Sequence, residues 1–380
     1  MRIRAILAAR RACRRPRVSR LAVLVSDFPR SREAKIAYGL QQNGWKVVLL
    51  HKEEPTFDPA QYCAEHRSYR SSWEALLLAS QYSPVVYHVF SCWNFNTAEL
   101  FVRHRPGKIV FDDYDVLAGM VDEERLESKY PKQLNKERYC LENADGLCCR
   151  SIETQYAKRH HGYKYSGSRI FFPEMCWNTD FHTPKKNDFD KFCVALVGNL
   201  SINADEEINH PNNYHLQMAL YLSQYSVYVR MYCPVIDKNE PFLQQLMQTN
   251  SFISRHWLSP DRLIQDMFFF CHGGMLCCPS VESDAMYRRT KRNYGIGNKV
   301  FDFIDAELPI FYENSGRFMD WLLYRYRLTA DLSDLLSNPS AAVSQMQNRF
   351  SANAEHIKKQ KRHFSIVERI KRLIDFYENV

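Results

Sequence analysis

The feature that most constrains the fold is an alternation, run through twice, of short apolar stretches with helical ones. Leu21-Ala-Val-Leu-Val25 leads through a loop, Ser26-Asp-Phe-Pro-Arg-Ser-Arg32, into a helical pattern from Glu33 to Gln42. That pattern stops at Asn43-Gly44, and a second apolar stretch, Lys46-Val-Val-Leu-Leu-His51, follows. Strand, loop, helix, glycine stop and strand form the βαβ opening of a parallel sheet. Further strands are expected at Val85–Phe90, Lys108–Asp112, Ala144–Ser151 and Arg169–Pro173, separated by helices near Trp73–Gln81, Thr97–His104 and Lys132–Glu142. A second series starts at Phe192-Cys-Val-Ala-Leu-Val-Gly198, with strands at Val227–Tyr232 and Gly274–Cys278. Its helices are expected over Tyr214–Ser223 and Pro241–Thr249 and from Ser259-Pro260, a cap residue followed by a first-turn proline.

The fold class expected is therefore α/β, with two Rossmann-like domains. A chain of 380 residues is long enough for each to bury its own core. The boundaries read are a basic arm over 1–20, a first domain over 21–175, a linker over 176–190, a second domain over 191–355 and a bracing helix over 356–380.

Charge needs locating before it is interpreted. The formal net charge is +8, but residues 1–20 hold eight Arg and no acid, and the remaining 360 residues balance. A general nucleic-acid surface is thereby disfavoured. The arm reads as a targeting segment, as a contact with an anionic membrane surface, or as a disordered tail. No apolar stretch of about 18 residues suggests a membrane span. The twelve Cys lack Cys-x-x-Cys or zinc spacing, so buried thiols in a reducing compartment are expected.

The loop after the first strand is where such sheets place ligands. It holds no glycine, which argues against a dinucleotide site. Near the other end, Asn298-Lys-Val-Phe-Asp-Phe-Ile-Asp-Ala-Glu-Leu-Pro-Ile-Phe311 reads as a short helix with Val300, Phe301, Phe303, Ile304 and Leu308 on its apolar face, ended by Pro309 before a buried strand. Lys299 offers a point charge for phosphate, and Asp302 an acceptor for sugar hydroxyls.

This stretch, with Pro279-Ser280 and Glu282 before it, resembles the nucleotide-sugar signature of GT-B-fold glycosyltransferases, the group 1, family 4-like retaining enzymes. Pro29, Arg30 and Arg32 resemble the family's first loop. Glu137, Ala144, Asp145 and Ser151 match another of its segments. The resemblance implies two domains across a cleft, with a last helix crossing back to the first. It implies that Gly198 and Asn199 approach the donor, Lys299 and Arg262 neutralise its diphosphate, Asp302 takes the ribose, and Glu282 touches the sugar. Arg32 and Trp93 would contact the acceptor, and His88, Asp113 and Asp115 are the catalytic candidates; His88 reads equally as a core histidine.

The activity so implied is transfer of a sugar from a nucleotide-diphosphate donor to a saccharide or lipid-linked acceptor in cell-surface glycan assembly. It would be retaining and hexosyltransferase-like, with no metal and no cofactor beyond the donor, in the cytoplasm or on the cytoplasmic face of a membrane. Three departures stand out. Glu307 replaces the Gly expected before Leu-Pro, a Glu-x7-Glu pair is absent, and Arg288-Arg-Thr-Lys-Arg292 is an unusual basic run. They motivate one alternative, a non-catalytic GT-B-like partner subunit; a nucleotide-sugar epimerase on the same fold is the other.

Overall fold

Apolar stretches without alternation are suited to strands covered on both faces, and the central strands of both sheets are built from them. The computed structural model describes residues 1–119, 131–181, 192–198, 221–232, 252–254, 258–276, 294–295, 297–312, 317–331 and 337–380. They fall into two units, one of residues 1–175, Tyr294-Gly295 and 366–380, the other of the remaining described residues between 176 and 365.

The first unit has a seven-stranded sheet of β1 (Leu21–Ser26), β2 (Lys46–His51), β3 (Glu65–Ser68), β4 (Val86–Cys92), β5 (Ile109–Asp115), β6 (Gly146–Cys149) and β7 (Ser168–Phe171). The order is β3-β2-β1-β4-β5-β6-β7, and every pairing is parallel. The winding direction reverses between β1 and β4, where Leu24 lies beside His88. The helices are α1 (Arg2–Ala12), α2 (Ser31–Gln42), α3 (Pro59–Tyr62), α4 (Ser72–Ala79), α5 (Asn96–His104), α6 (Pro131–Asn143) and α7 (Glu153–His160). Residues 1–20 are thus no loose arm: α1 packs on α4, with Ala5, Ala9 and Ala12 buried.

The second unit repeats the design with six strands, β8 (Cys193–Val197), β9 (Tyr228–Tyr232), β10 (Phe252–Ser254), β11 (Gly273–Leu276), β12 (Ile310–Tyr312) and β13 (Thr329–Asp331), in the order β10-β9-β8-β11-β12-β13. All its pairings are parallel as well. Its helices are α8 (Pro260–Phe270), α9 (Lys299–Asp305), α10 (Arg317–Arg325) and α11 (Pro339–His363).

The last helix, α12 (Ile366–Asn379), returns to the first unit and packs on α2. The bare Cα of Gly39 permits this: a Cβ there would stand 3.0 Å from Ile366 and Ile370. No disulfide joins the nine cysteines of the described residues. No helix among those residues is long and apolar enough to cross a membrane.

Candidate nucleotide-sugar site

In an open parallel sheet, ligands bind beyond the carboxyl ends of the strands, at the point where the winding reverses. In the second unit that point lies between β8 and β11. Gly198 directly follows β8 with φ +146°, a conformation open to glycine and rarely to other residues. A Cβ at Gly198 would come 2.9 Å from the Lys299 ammonium, so the missing side chain is the space Lys299 occupies. Two residues a hundred positions apart in sequence, both expected to approach the donor, are adjacent.

The helix that carries Lys299 is held from below. Val300, Phe301, Phe303 and Ile304 are buried, as the apolar pattern requires. Asp302 is 8% exposed, one turn beyond Lys299. Asp305 is buried and accepts from the backbone N–H groups of Trp177 (2.7 Å) and Thr179 (3.0 Å). Arg262 is exposed in the first turn of α8, which packs beside α9. Asn199, Pro279, Ser280, Glu282 and the basic run Arg288–Arg292 lie outside the described residues.

Glu307 stands where a left-handed residue is needed. Its N–H donates to Ile304 O (3.0 Å) and that of Leu308 to Phe303 O (2.9 Å), the paired bonds of a Schellman cap. Its φ is +56°, which costs a non-glycine residue about 1 kcal/mol. What offsets the strain is Lys361, whose ammonium is 3.3 Å from the Glu307 carboxylate, 3.7 Å from Asp305, and bonded to Thr179 O. Glu307→Gly is therefore expected to leave urea stability within about 1 kcal/mol, because strain relief offsets the lost ion pair. Glu307→Ala keeps the strain, loses the pair, and should cost about 1–2 kcal/mol in the same measurement.

In the first unit most of the expected acceptor-side residues lie inside. Arg32 is 1% exposed; its Nε (2.9 Å) and an Nη (2.7 Å) both donate to one oxygen of Asp112, and that Nη also to Phe172 O (2.9 Å). Glu174 flanks the guanidinium at 3.7 Å and pairs with Lys35 at 3.4 Å. Arg32, expected to contact an acceptor, is instead committed to the core, because a buried carboxylate on β5 requires a cation. Burial raises the pKa of Asp112, but Arg32 and then His88 outweigh it and bring it down to about 2.

His88 is fully buried, with Nε2 3.3 Å from the Asp112 carboxylate and Nδ1 hydrogen-bonded to the Tyr377 hydroxyl on α12. Burial depresses its pKa, the state of a core histidine. His88, Asp112 and Cys148 bring metal-ligand atoms within 4.8 Å of one another, but the Arg32 guanidinium already supplies the positive charge there.

Asp113 is buried beside Glu137, which accepts from the N–H groups of Leu117 and Ala118 (3.1 Å) and from Tyr163 Oη (3.2 Å). Asp115 is the ion-pair partner of Arg150, at 2.5 Å. The catalytic candidates are thus neighbours of protein groups. Among the five acceptor-side residues only Trp93 is exposed, at 38%, and it follows β4 with φ +62°. A bulky side chain in the left-handed region marks local strain at the carboxyl end of the sheet. Sequence reasoning missed Asp112, Lys35 and Glu174; an acidic residue inside the apolar run Lys108–Asp112 was the available signal.

Two doubly wound parallel sheets with a last helix returning to the first define the class: the chain has the GT-B glycosyltransferase fold. Superposition with sucrose-phosphate synthase from Thermosynechococcus elongatus covers 94% of this chain and 98% of that one, with TM-score 0.65 and 10% identity. The Anabaena protein HepE, in complex with UDP and glucose, gives 94% and 100%, TM-score 0.63 and 10% identity. The UDP-forming α,α-trehalose-phosphate synthase of Burkholderia vietnamiensis gives 95% and 100%, TM-score 0.57 and 11% identity. No protein-family model matches the sequence, and no curated protein matches it.

Proposed function

We infer that the chain is a glycosyltransferase that binds a nucleotide-diphosphate sugar on its second unit. The observation that carries this reading is the fit of the Lys299 ammonium against the bare Cα of Gly198 at the reversal point of a GT-B sheet. A cation beside a glycine backbone is suited to a leaving diphosphate, whose growing charge must be stabilised without steric hindrance. Asp302 and Arg262 are assigned to the ribose and the phosphates, with Asn199 and Glu282 completing the set. UDP is the first nucleoside diphosphate to try, since HepE holds UDP and the trehalose-phosphate synthase is UDP-forming. The family resemblance supports a hexosyl donor, retention without a metal, and a saccharide or lipid-linked acceptor of cell-surface glycan assembly. Trp93 is assigned to stack on the acceptor.

The test is a thermal-shift panel with UDP, GDP, ADP, CMP and TDP, without added metal. A ligand at 100 times its Kd should stabilise by about 2.7 kcal/mol. One diphosphate is expected to stand out, and Lys299→Ala to weaken it about ten- to a hundredfold by removing charge-assisted bonds. Release of nucleoside diphosphate only when acceptor is present separates transfer from epimerisation.

One observation favours a second reading, a non-catalytic partner subunit: His88, Asp113 and Asp115 all face protein groups. A panel in which no diphosphate shifts the melt would put that reading first.

A further inference from the structure

We propose that α1 is a membrane-docking helix that seats the chain on an anionic lipid surface. The proposal does not depend on the donor site. One face of α1 is small: Ala5, Ala9 and Ala12 are buried against the first unit, where α1 packs on α4. Arg2 lies over the Trp73 ring at 5.1 Å, Arg15 donates to Ser80 O, and the Val18 N–H donates to Ser83 O at 2.7 Å. These contacts fix which side of the helix points outward.

At about 100° per residue, Ile3 and Leu7 fall about 40° apart on the side opposite the alanines. They are 74% and 48% exposed. Arg10 flanks this ridge on one side, Arg4 and Arg11 on the other, and all three are exposed. Arg103 on α5 and Arg105 just after it are each paired with a carboxylate, Glu99 at 2.9 Å and Asp145 at 3.2 Å, so the positive charge of this face comes from α1 itself.

The packing of α1 uses its alanines and Arg2 on Trp73, and it leaves two large apolar side chains on the outer face. Arginines bordering an apolar ridge suit the headgroup boundary: the ridge enters the acyl layer while the guanidinium groups meet lipid phosphates. Nucleic acid would use the charge and leave Ile3 and Leu7 in water, so the ridge favours lipid. The absence of acidic residues from 1–20 matches an anionic leaflet.

The test is co-sedimentation of the full chain with vesicles of phosphatidylglycerol and phosphatidylcholine, against phosphatidylcholine alone, over a range of NaCl. Binding is expected to the anionic vesicles only, weakening as salt rises. The double variant Ile3→Asn, Leu7→Asn should partition at least tenfold more weakly with an unchanged melting temperature, since both side chains are exposed. Leu7→Trp should bind more tightly, a gain that a folding defect does not produce. Three results would overturn the proposal. One is no binding to anionic vesicles at low salt. Another is wild-type binding by the double asparagine variant together with displacement by an oligonucleotide, which would assign the face to nucleic acid. The third is a dimer that the double variant dissolves, which would assign it to a second copy. Diphosphate binding in solution is unaffected by any of these outcomes.

Discussion

Arg32→Met is expected to lower unfolding stability by about 3–5 kcal/mol, the loss that follows when one member of a buried ion pair is removed. Asp112 would keep its burial and lose both donors, while Glu174 would lose one of its two cations. Asp112→Leu should also destabilise, but by less, because the guanidinium keeps Glu174 at 3.7 Å and the Phe172 carbonyl. The double variant is expected to recover part of the loss, since removing both charges removes the desolvation cost as well. Urea denaturation followed by circular dichroism reads all three. An acceptor contact predicts the opposite pattern, unchanged stability with a raised KM, and that pattern would return Arg32 to the binding site. The pair also has a pH signature. Because the pKa of Asp112 is lowered to about 2, its contribution is complete above its ordinary 3.8 and is lost as pH falls through about 2.

The fold was legible because buried parallel strands leave an unambiguous trace. β1, β2, β4, β5, β8 and β9 all stand within a few residues of their apolar runs. The edge strand β3, Glu65-His-Arg-Ser68, left none, because only one neighbour pairs with it and three of its four side chains are exposed. The helix α1 was also missed: its buried face is alanine, which carries little hydrophobic signal beside eight arginines. On the donor side, Gly198 and Lys299 are adjacent, and the property of each that matters there, a bare Cα and a point charge, is readable from the residue type alone. On the acceptor side Asp113, Asp115 and His88 lie at or near expected strand ends and Arg32 in the expected loop after the first strand, the positions where such a sheet places ligands. Residue type and strand position do not reveal that Arg32 reaches Asp112 across 80 residues, or that Tyr377 comes from the far end of the chain to bond His88. Partner identity is a tertiary property, and a charge deep in a strand is the trace that should have prompted a search for one.

Asp113→Asn is expected to make the chain more stable, and by an amount that grows with pH. Asp113 is buried among acidic neighbours, with Glu137 in contact and Glu153 and Asp115 close; burial first, then the Glu137 charge, raises its pKa well above 3.8. Glu137 accepts from two backbone N–H groups and Tyr163, so Asp113 is the member of the pair that holds the proton. The unfolded chain releases that proton near pH 4, whereas the folded chain keeps it. Stability is therefore fully present below about 4 and declines as pH rises towards the folded pKa, by at most about 1.4 kcal/mol per pH unit. Glu137 and Glu33, each pushed up to about 7 chiefly by burial, add the same sign between their ordinary 4.5 and 7. Wild-type melting temperature should accordingly be highest near pH 5 and lower at pH 8. An asparagine at 113 does not titrate, so the variant should match the wild type most closely at pH 5 and exceed it at pH 8. Thermal melts of both proteins across that range, in one ionic strength, read the difference in slope. If Asp113→Asn instead abolishes sugar transfer while leaving the slope unchanged, the carboxyl is exchanging its proton with a substrate, and Asp113 belongs to the catalytic set rather than to the core.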